Sequence, residues 1–321
     1  MSNGDTKNPN PFHQGESYIQ ARAGASKELV AMANQAITDF MPNQHQTFFK
    51  MLPMIFIGAK DKHQDVWASI LIGKPGFIQI NDEHSFTINS QFMDIDPLVV
   101  DLKVGDEMGF LGIQFETRRR NRVSALITEV TTSHITLKIK QCYGNCPKYI
   151  QRRQGKMTKP EVAPESIAFD SFDKSMTRFI HSVDSLFIAS QYIDGDEDLN
   201  RGVDSSHRGG MPGFVNIPNN KTLLIPDYMG NFFFNTIGNI SLNSKVGIHF
   251  LDYENGHRVM LTGTAEVIWA EDNDIPFDGV DRMIRFTLKH GYHLKNSFPF
   301  EWKFKGYSPF SRAYSGEDIL F

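Results

Sequence analysis

Cysteine is nearly missing from this chain: Cys142 and Cys146 are the only two among 321 residues. Two thiols cannot staple a disulfide scaffold, so a reducing cytoplasm is the expected home. No Cys or His cluster completes the four ligands that a structural zinc needs, so no metal is expected either. Long apolar runs are missing too. The longest, around residues 51–59, is broken by Pro53 and is far too short to span a bilayer. The start, Met1-Ser2-Asn3-Gly4-Asp5, lacks the basic and apolar segments of a secretion signal. Positive charge is not in excess, with 33 Lys and Arg against 37 Asp and Glu and a formal net charge of −4. That balance argues against broad binding of nucleic acid or anionic membranes and leaves room only for a local basic pocket. No nucleophile, base and acid set stands out.

What remains is the composition of a soluble globular protein, 40% hydrophobic and 22% charged, in a chain long enough to bury two cores. The pattern along it runs nearly the same course twice. Residues 1–42 read as an arm, loose or lying on the body, followed by a helix with Leu29, Met32, Ala33, Ala36, Ile37 and Phe40 on one face. Residues 43–151 hold a short helix and about seven strands, interrupted by a helix at 97–102. Residues 152–165, rich in Lys, Arg, Gly, Thr and Pro, read as a linker. From 166 to 321 the order starts again: Leu186-Phe187-Ile188-Ala189 answers Ile55-Phe56-Ile57-Gly58, Val246-Gly247-Ile248 answers Met108-Gly109-Phe110, and Arg258-Val259 answers Arg122-Val123. Strand-rich modules with few helices close most economically as small barrels, so the expected fold class is mainly β, a pair of β-barrels with flanking helices and a seam between them.

The clearest copy is Ser205-Ser206-His207-Arg208-Gly209-Gly210-Met211-Pro212-Gly213-Phe214-Val215, which runs in step with Ala68-Ser69-Ile70-Leu71-Ile72-Gly73-Lys74-Pro75-Gly76-Phe77-Ile78. Two glycines open the backbone to an approaching anion and Arg208 supplies a positive fork, whereas the earlier copy carries Leu71 at that place. Strand alternation puts Ser206 on the face of Arg208 and His207 opposite. The run Arg118-Arg119-Arg120-Asn121-Arg122 is a concentrated basic patch; it reads as a solvated hairpin, or as one or two arginines reaching across the seam.

These segments, together with Leu224-Ile225-Pro226-Asp227-Tyr228, Gly230-Asn231, Asn235-Thr236-Ile237-Gly238-Asn239, Gly112 to Arg122 and Tyr143 to Ile150, resemble the pyridoxamine 5'-phosphate oxidase-like flavin-binding split-barrel proteins, and in particular a long subgroup with tandem barrels. The resemblance runs from about Phe12 to about Phe286. It implies two tandem FMN-binding split barrels, with FMN as cofactor held mainly by the second copy through Ser206, Arg208, Gly209, Ile225, Pro226, Asp227, Asn231, Asn235 and Arg258, and with Lys148 near the flavin. The family's late Arg-x-His substrate segment has no counterpart after Phe298, where only Arg312 is available. Oxidation of pyridoxamine phosphate is therefore not expected. An FMN-dependent oxidoreductase passing hydride or electrons to a small-molecule acceptor is, with a separate reductase or ferredoxin as electron partner. A non-catalytic FMN-binding or storage protein is the alternative. The two copies pair within one chain, or two chains pair as a homodimer; the resemblance leaves this open.

Overall fold

The structure is a computed structural model that describes residues 10–90, 95–98, 101–159, 161–192, 201–272 and 280–311. The chain begins with α1 (Gln14–Arg22), α2 (Leu29–Ala36) and α3 (Asn43–Lys50). A first series of strands follows: β1 (Met54–Lys60), β2 (Val66–Ile72), β3 (Ile78–Asp82), β4 (Ser85–Ile88), β5 (Glu107–Gln114), β6 (Arg119–Val130) and β7 (Ile135–Asn145). β8 (Arg152–Met157), β9 (Glu165–Phe169) and α4 (Lys174–Ser182) lead to a second series, β10 (Ser185–Tyr192), β11 (Gly202–Gly209), β12 (Asn216–Asn219), β13 (Thr222–Pro226), α5 (Asn235–Leu242), β14 (Lys245–Asp252), β15 (His257–Trp269) and β16 (Arg282–Lys295), closed by β17 (Phe300–Gly306). The molecule is mainly β and its strand pairs are antiparallel, as the alternating pattern predicts. Among the described residues no helix is long and apolar enough to cross a membrane.

One sheet runs β2-β1-β5-β6-β7-β4-β3, and the other β11-β10-β14-β15-β16-β13-β12 with β9 added on β16. Put β10 for β1 and β11 for β2, continue in chain order, and the two sequences of strands coincide. Each sheet encloses its own apolar cluster, the first around Ile55, Phe86, Phe110 and Leu137, the second around Ile188, Phe250, Leu261 and Phe286. A third cluster, including Phe56, Leu111, Phe187 and Leu251, joins the two. At its centre the Phe56 and Phe187 rings stack at 3.5 Å with 8° between their planes. These residues hold matching places on β1 and β10.

Close backbone approach holds this seam. A Cβ on Gly109 would lie 2.3 Å from the Val203 carbonyl oxygen, and one on Gly247 2.5 Å from the Ala68 nitrogen. Both glycines occupy the same ladder position, opposite Gly58 on β1 and Ala189 on β10. Each therefore lets a strand of the other half lie against it.

Several expectations need correction. Residues 152–165 are not a free linker, because β8 pairs with β17 and β9 extends the second sheet. The helix expected at 97–102 is absent from its described residues, where Pro97 and Leu98 form a turn. Just before α1, His13 caps the helix by accepting from Gly15 N at 3.1 Å, and Glu16 accepts in return from His13 N at 3.0 Å. On α2 only Leu29 and Ala33 are buried, while Met32 is exposed. Finally, the ladders move one correspondence by two residues. Four positions beyond Gly109 and Gly247 stand Ile113, paired with Arg120, and Leu251, paired with Arg258. Arg258 thus matches Arg120, and the counterpart of Arg122 is Met260.

Candidate functional site

A cleft opens along the seam, with β6 and the chain beyond β7 on one side and the ends of β11 and β13 and the approach to α5 on the other. On β6, residues two apart share a face, so Arg120 and Arg122 both point into it. Their neighbours Arg118 and Arg119 turn away, to the Ile150 and Tyr307 carbonyls and to the Gln44 carbonyl. Of the basic run, two arginines cross the seam and two do not.

The Arg120 guanidinium donates to the Cys146 carbonyl at 2.8 Å and to the His207 carbonyl at 3.2 Å. Among the described residues it pairs with no carboxylate. Burial holds it down at about 10, and repulsion from Arg122 and Arg208 adds to the effect. Arg122 donates to Asn235 Oδ1 at 3.0 Å, to Tyr143 Oη at 3.3 Å and to Ser206 Oγ, and lies 3.7 Å from Asp204. Thr236 Oγ1 donates to the same Ser206 hydroxyl at 2.9 Å.

Asn235, the first residue of α5, also donates to Glu16 Oε1. Burial, with the Asp204 charge adding to it, pushes the Glu16 carboxyl up to about 8, so it is largely protonated at neutral pH. His13 Nδ1 accepts from Gly15 N, which leaves the ring proton on Nε2 to donate to Asn239 Oδ1 at 2.8 Å. Asn239 Nδ2 then donates to Asp204 Oδ2 at 3.0 Å. The first helix thus forms an outer layer of the site through a continuous polar network. His13, Glu16 and Gln20 are all buried on α1 or its cap.

The walls are aromatic. Tyr149 and Tyr228, one from each side, stack at 5.2 Å with 28° between planes, and the Tyr149 hydroxyl donates to the Met229 carbonyl at 3.0 Å. Phe232 and Phe234 line the floor with φ of 63° and 59°. Left-handed backbone at two non-glycine residues is strained, and such strain gathers at ligand clamps.

Of the residues proposed from sequence, Ser206, Arg208, Gly209, Pro226, Asp227, Asn231 and Asn235 line this one cleft. Arg208 is not a bare cation, however. It pairs with Asp227, which also accepts from Arg282 Nε at 2.7 Å. Asn231 lies outside α5, whose N-cap is Phe234, and its side chain accepts instead from Phe233 N at 3.3 Å. Ile225 is a fully buried member of the second core. Lys148 donates to the Met229 carbonyl at 3.5 Å, close to Phe310, and does not line the cleft. Arg258 is remote from it, buried beside Asp96 and Ser297. Gly209 and Gly210 make room for protein: a Cβ on Gly209 would lie 2.1 Å from the Tyr149 carbonyl oxygen, and one on Gly210 2.5 Å from the Phe214 Cβ. His207 shares the cleft lining although alternation turns it from Ser206. Arg312 lies outside the described residues.

No protein-family model matches the chain, and a comparison with curated proteins gives no match. Among solved structures, the chain is similar to a point variant of HupZ from Group A Streptococcus, with 17% identity over 38% of this chain and 98% of that one and a TM-score of 0.28. A putative pyridoxamine 5'-phosphate oxidase from Lactobacillus delbrueckii is 16% identical over 38% of this chain and 94% of its own, also with a TM-score of 0.28. A putative 5-nitroimidazole antibiotic resistance protein from Bacteroides thetaiotaomicron is 14% identical over 44% and 92%, with a TM-score of 0.26. At these scores the likeness carries no argument about function, which rests on the residues of the cleft.

Proposed function

We propose that the cleft holds FMN, one molecule per chain, and that the protein is an FMN-dependent oxidoreductase acting on a small-molecule acceptor. The observation that carries this reading is Arg120, a half-buried guanidinium in an open cleft with no carboxylate partner among the described residues. A partly desolvated cation without a counter-charge is costly, and an anionic ligand relieves that cost. Around the cleft four guanidinium groups, of Arg120, Arg122, Arg208 and Arg282, meet three carboxylates, of Asp204, Asp227 and the exposed Asp281, while Glu16 is largely protonated. The remaining positive charge suits an anionic phosphate. Buried polar atoms without hydrogen-bond partners among the described residues supply the rest of the fit: Arg122 Nε, Asn145 Oδ1 and His207 Nε2 all belong to lining residues.

Arg120 and Arg122, with the Ser206 and Thr236 hydroxyls, would hold the phosphate, and the Tyr149, Tyr228, Phe232 and Phe234 rings would flank the apolar part and keep water out. FMN supplies a ring that takes up a hydride or single electrons and passes them on. The protein's own part is to bind, orient and shield, since the cleft offers no nucleophile paired with a base. His207 is held neutral, well below its usual range, by burial and by the charges of Arg120, Arg153 and Arg208.

Gently purified protein is expected to be yellow, or to take up added FMN with quenched fluorescence at one equivalent per chain. Anaerobic mixing with NADH, NADPH or a reduced ferredoxin is expected to bleach it, and an acceptor to restore it. Protein that neither carries nor retains FMN refutes the cofactor; two equivalents refute the single site. Bound flavin that no donor reduces makes the protein a flavin store instead.

A further inference from the structure

The seam relates two equivalent positions, and the second one is filled from within. Ser206 on β11 pairs with Ile188 as Ser69 on β2 pairs with Ile57. Arg120 pairs with Ile113 as Arg258 pairs with Leu251. Each end of the seam is therefore given one hydroxyl and one guanidinium at matching ladder places, but the two arginines are neutralised differently. Arg258 Nη1 lies 3.5 Å from Asp96 Oδ2, the same oxygen that accepts from Ser69 Oγ. The other Asp96 oxygen accepts from Leu98 N at 3.0 Å. Ser69, Asp96 and Arg258 are all at least 98% buried. Asp96 sits between β4 and β5, the interval that α5 occupies between β13 and β14, so this carboxylate and the Thr236 hydroxyl reach corresponding serines from corresponding connections.

We propose that Asp96 is a built-in anion that fills the twin of the cleft's anion seat, so that the chain keeps one seat for an external ligand, and that removing the Asp96 carboxylate opens a second seat for a small carboxylate ion. The proposal rests on the reading that the cleft takes an anion. The internal comparison also accounts for the single site better than Leu71 does. Leu71, at the place of Arg208, removes one cation, whereas Asp96 occupies the position itself. A ligand anion at that end would stand against a buried carboxylate, and like charges at close range exclude one another.

The test is chemical rescue of Asp96→Ala, with formate as the probe. In chloride buffer the variant is expected to unfold roughly 10 °C below the parent, because a buried charge pair has lost one member. Sodium formate is expected to return at least half of that loss with a saturating dose response, beyond any shift it causes in the parent, while sodium chloride at equal ionic strength returns none. Asp96→Asn, which fills the space without the charge, is expected to be destabilised and not rescued. Should Asp96→Ala fail to fold in chloride, folding in formate replaces the melting shift as the readout. No difference between formate and chloride, or equal rescue of Asp96→Asn, overturns the proposal. FMN titration of the parent reads the cleft and formate rescue reads its twin, so either result can fail without the other.

Discussion

Replacing Arg120 by methionine separates what the residue does for the fold from what it does for a ligand. Its depression from the ordinary 12.5 to about 10 corresponds to roughly 3 kcal/mol of unfavourable placement of a charge that is nonetheless present at neutral pH. Methionine removes that charge in a side chain of comparable length. It also removes hydrogen bonds from a charged donor to the Cys146 and His207 carbonyls, each worth about 1.5–3 kcal/mol. The two effects are of similar size, so the ligand-free protein is expected to melt within several degrees of the parent. Binding moves the other way. Loss of one charge-assisted hydrogen bond to phosphate costs about 1.5–3 kcal/mol, a 10- to 150-fold rise in Kd. Thermal unfolding without ligand and fluorescence titration with FMN measure the two effects on the same preparation. A folded Arg120→Met protein that binds FMN as tightly as the parent would refute the assignment of the anion to this guanidinium. A large fall in ligand-free stability would show that the charge is already met within the protein.

Arg208→Gln is expected to weaken FMN binding less than Arg120→Met does, since Asp227 already engages Arg208; titrations of the two variants side by side give the order. Glu16 has a folded pKa near 8 against an ordinary 4.5, so the folded state retains a proton that the unfolded state loses, and stability falls as pH rises from about 4.5 to 8. The full effect is on the order of 5 kcal/mol, and Glu16→Gln is expected to flatten that slope and to melt above the parent at pH 8; parallel slopes for the two proteins would remove Glu16 as its source. Gly209→Ala sets a methyl group 2.1 Å from the Tyr149 carbonyl and is expected to destabilise by about 1–3 kcal/mol, read by urea unfolding; an unchanged midpoint would mean that the seam gives way easily there.

The fold was largely legible because its signals are local. Alternation and apolar runs mark β1, β5 and β10, and the matched Pro-Gly-Phe segments betray two sheets of one strand order. The site was legible only on the side that carries a recognisable segment. Ser206, Arg208 and Asn235 belong to the cleft, but what each touches depends on residues remote in sequence: Asp227 for Arg208, Arg122 and Thr236 for Ser206, Glu16 for Asn235. No spacing rule links Glu16 to Asn235, because the contact exists only once α1 lies across α5. Arg120 and Arg122 were visible as a basic run, and strand alternation alone would have put them on one face. Which face looks into the seam is decided by the pairing of β5 with β6 and by the docking of the two sheets.

The mispaired correspondence of Arg258 shows the same limit in another form. Aligning Arg-Val with Arg-Val matches letters, whereas the ladder matches positions, and a shift of two residues keeps a side chain on the same face while moving it about 7 Å along the strand. Letter matching therefore passes every test of alternation and still assigns the wrong partner. Once the register is corrected, the sequence difference that matters is no longer Arg208 against Leu71 alone. It is a buried arginine with a carboxylate at one end of the seam and a half-buried arginine with none among the described residues at the other. Both cleft arginines of β6 come from the first half and both hydroxyls beneath them from the second, so an anion bound there touches the two halves at once and is retained only while they are docked. A ligand at 100 times its Kd would then add about 2.7 kcal/mol to the docked state, which would make a bound anion part of what holds the seam closed.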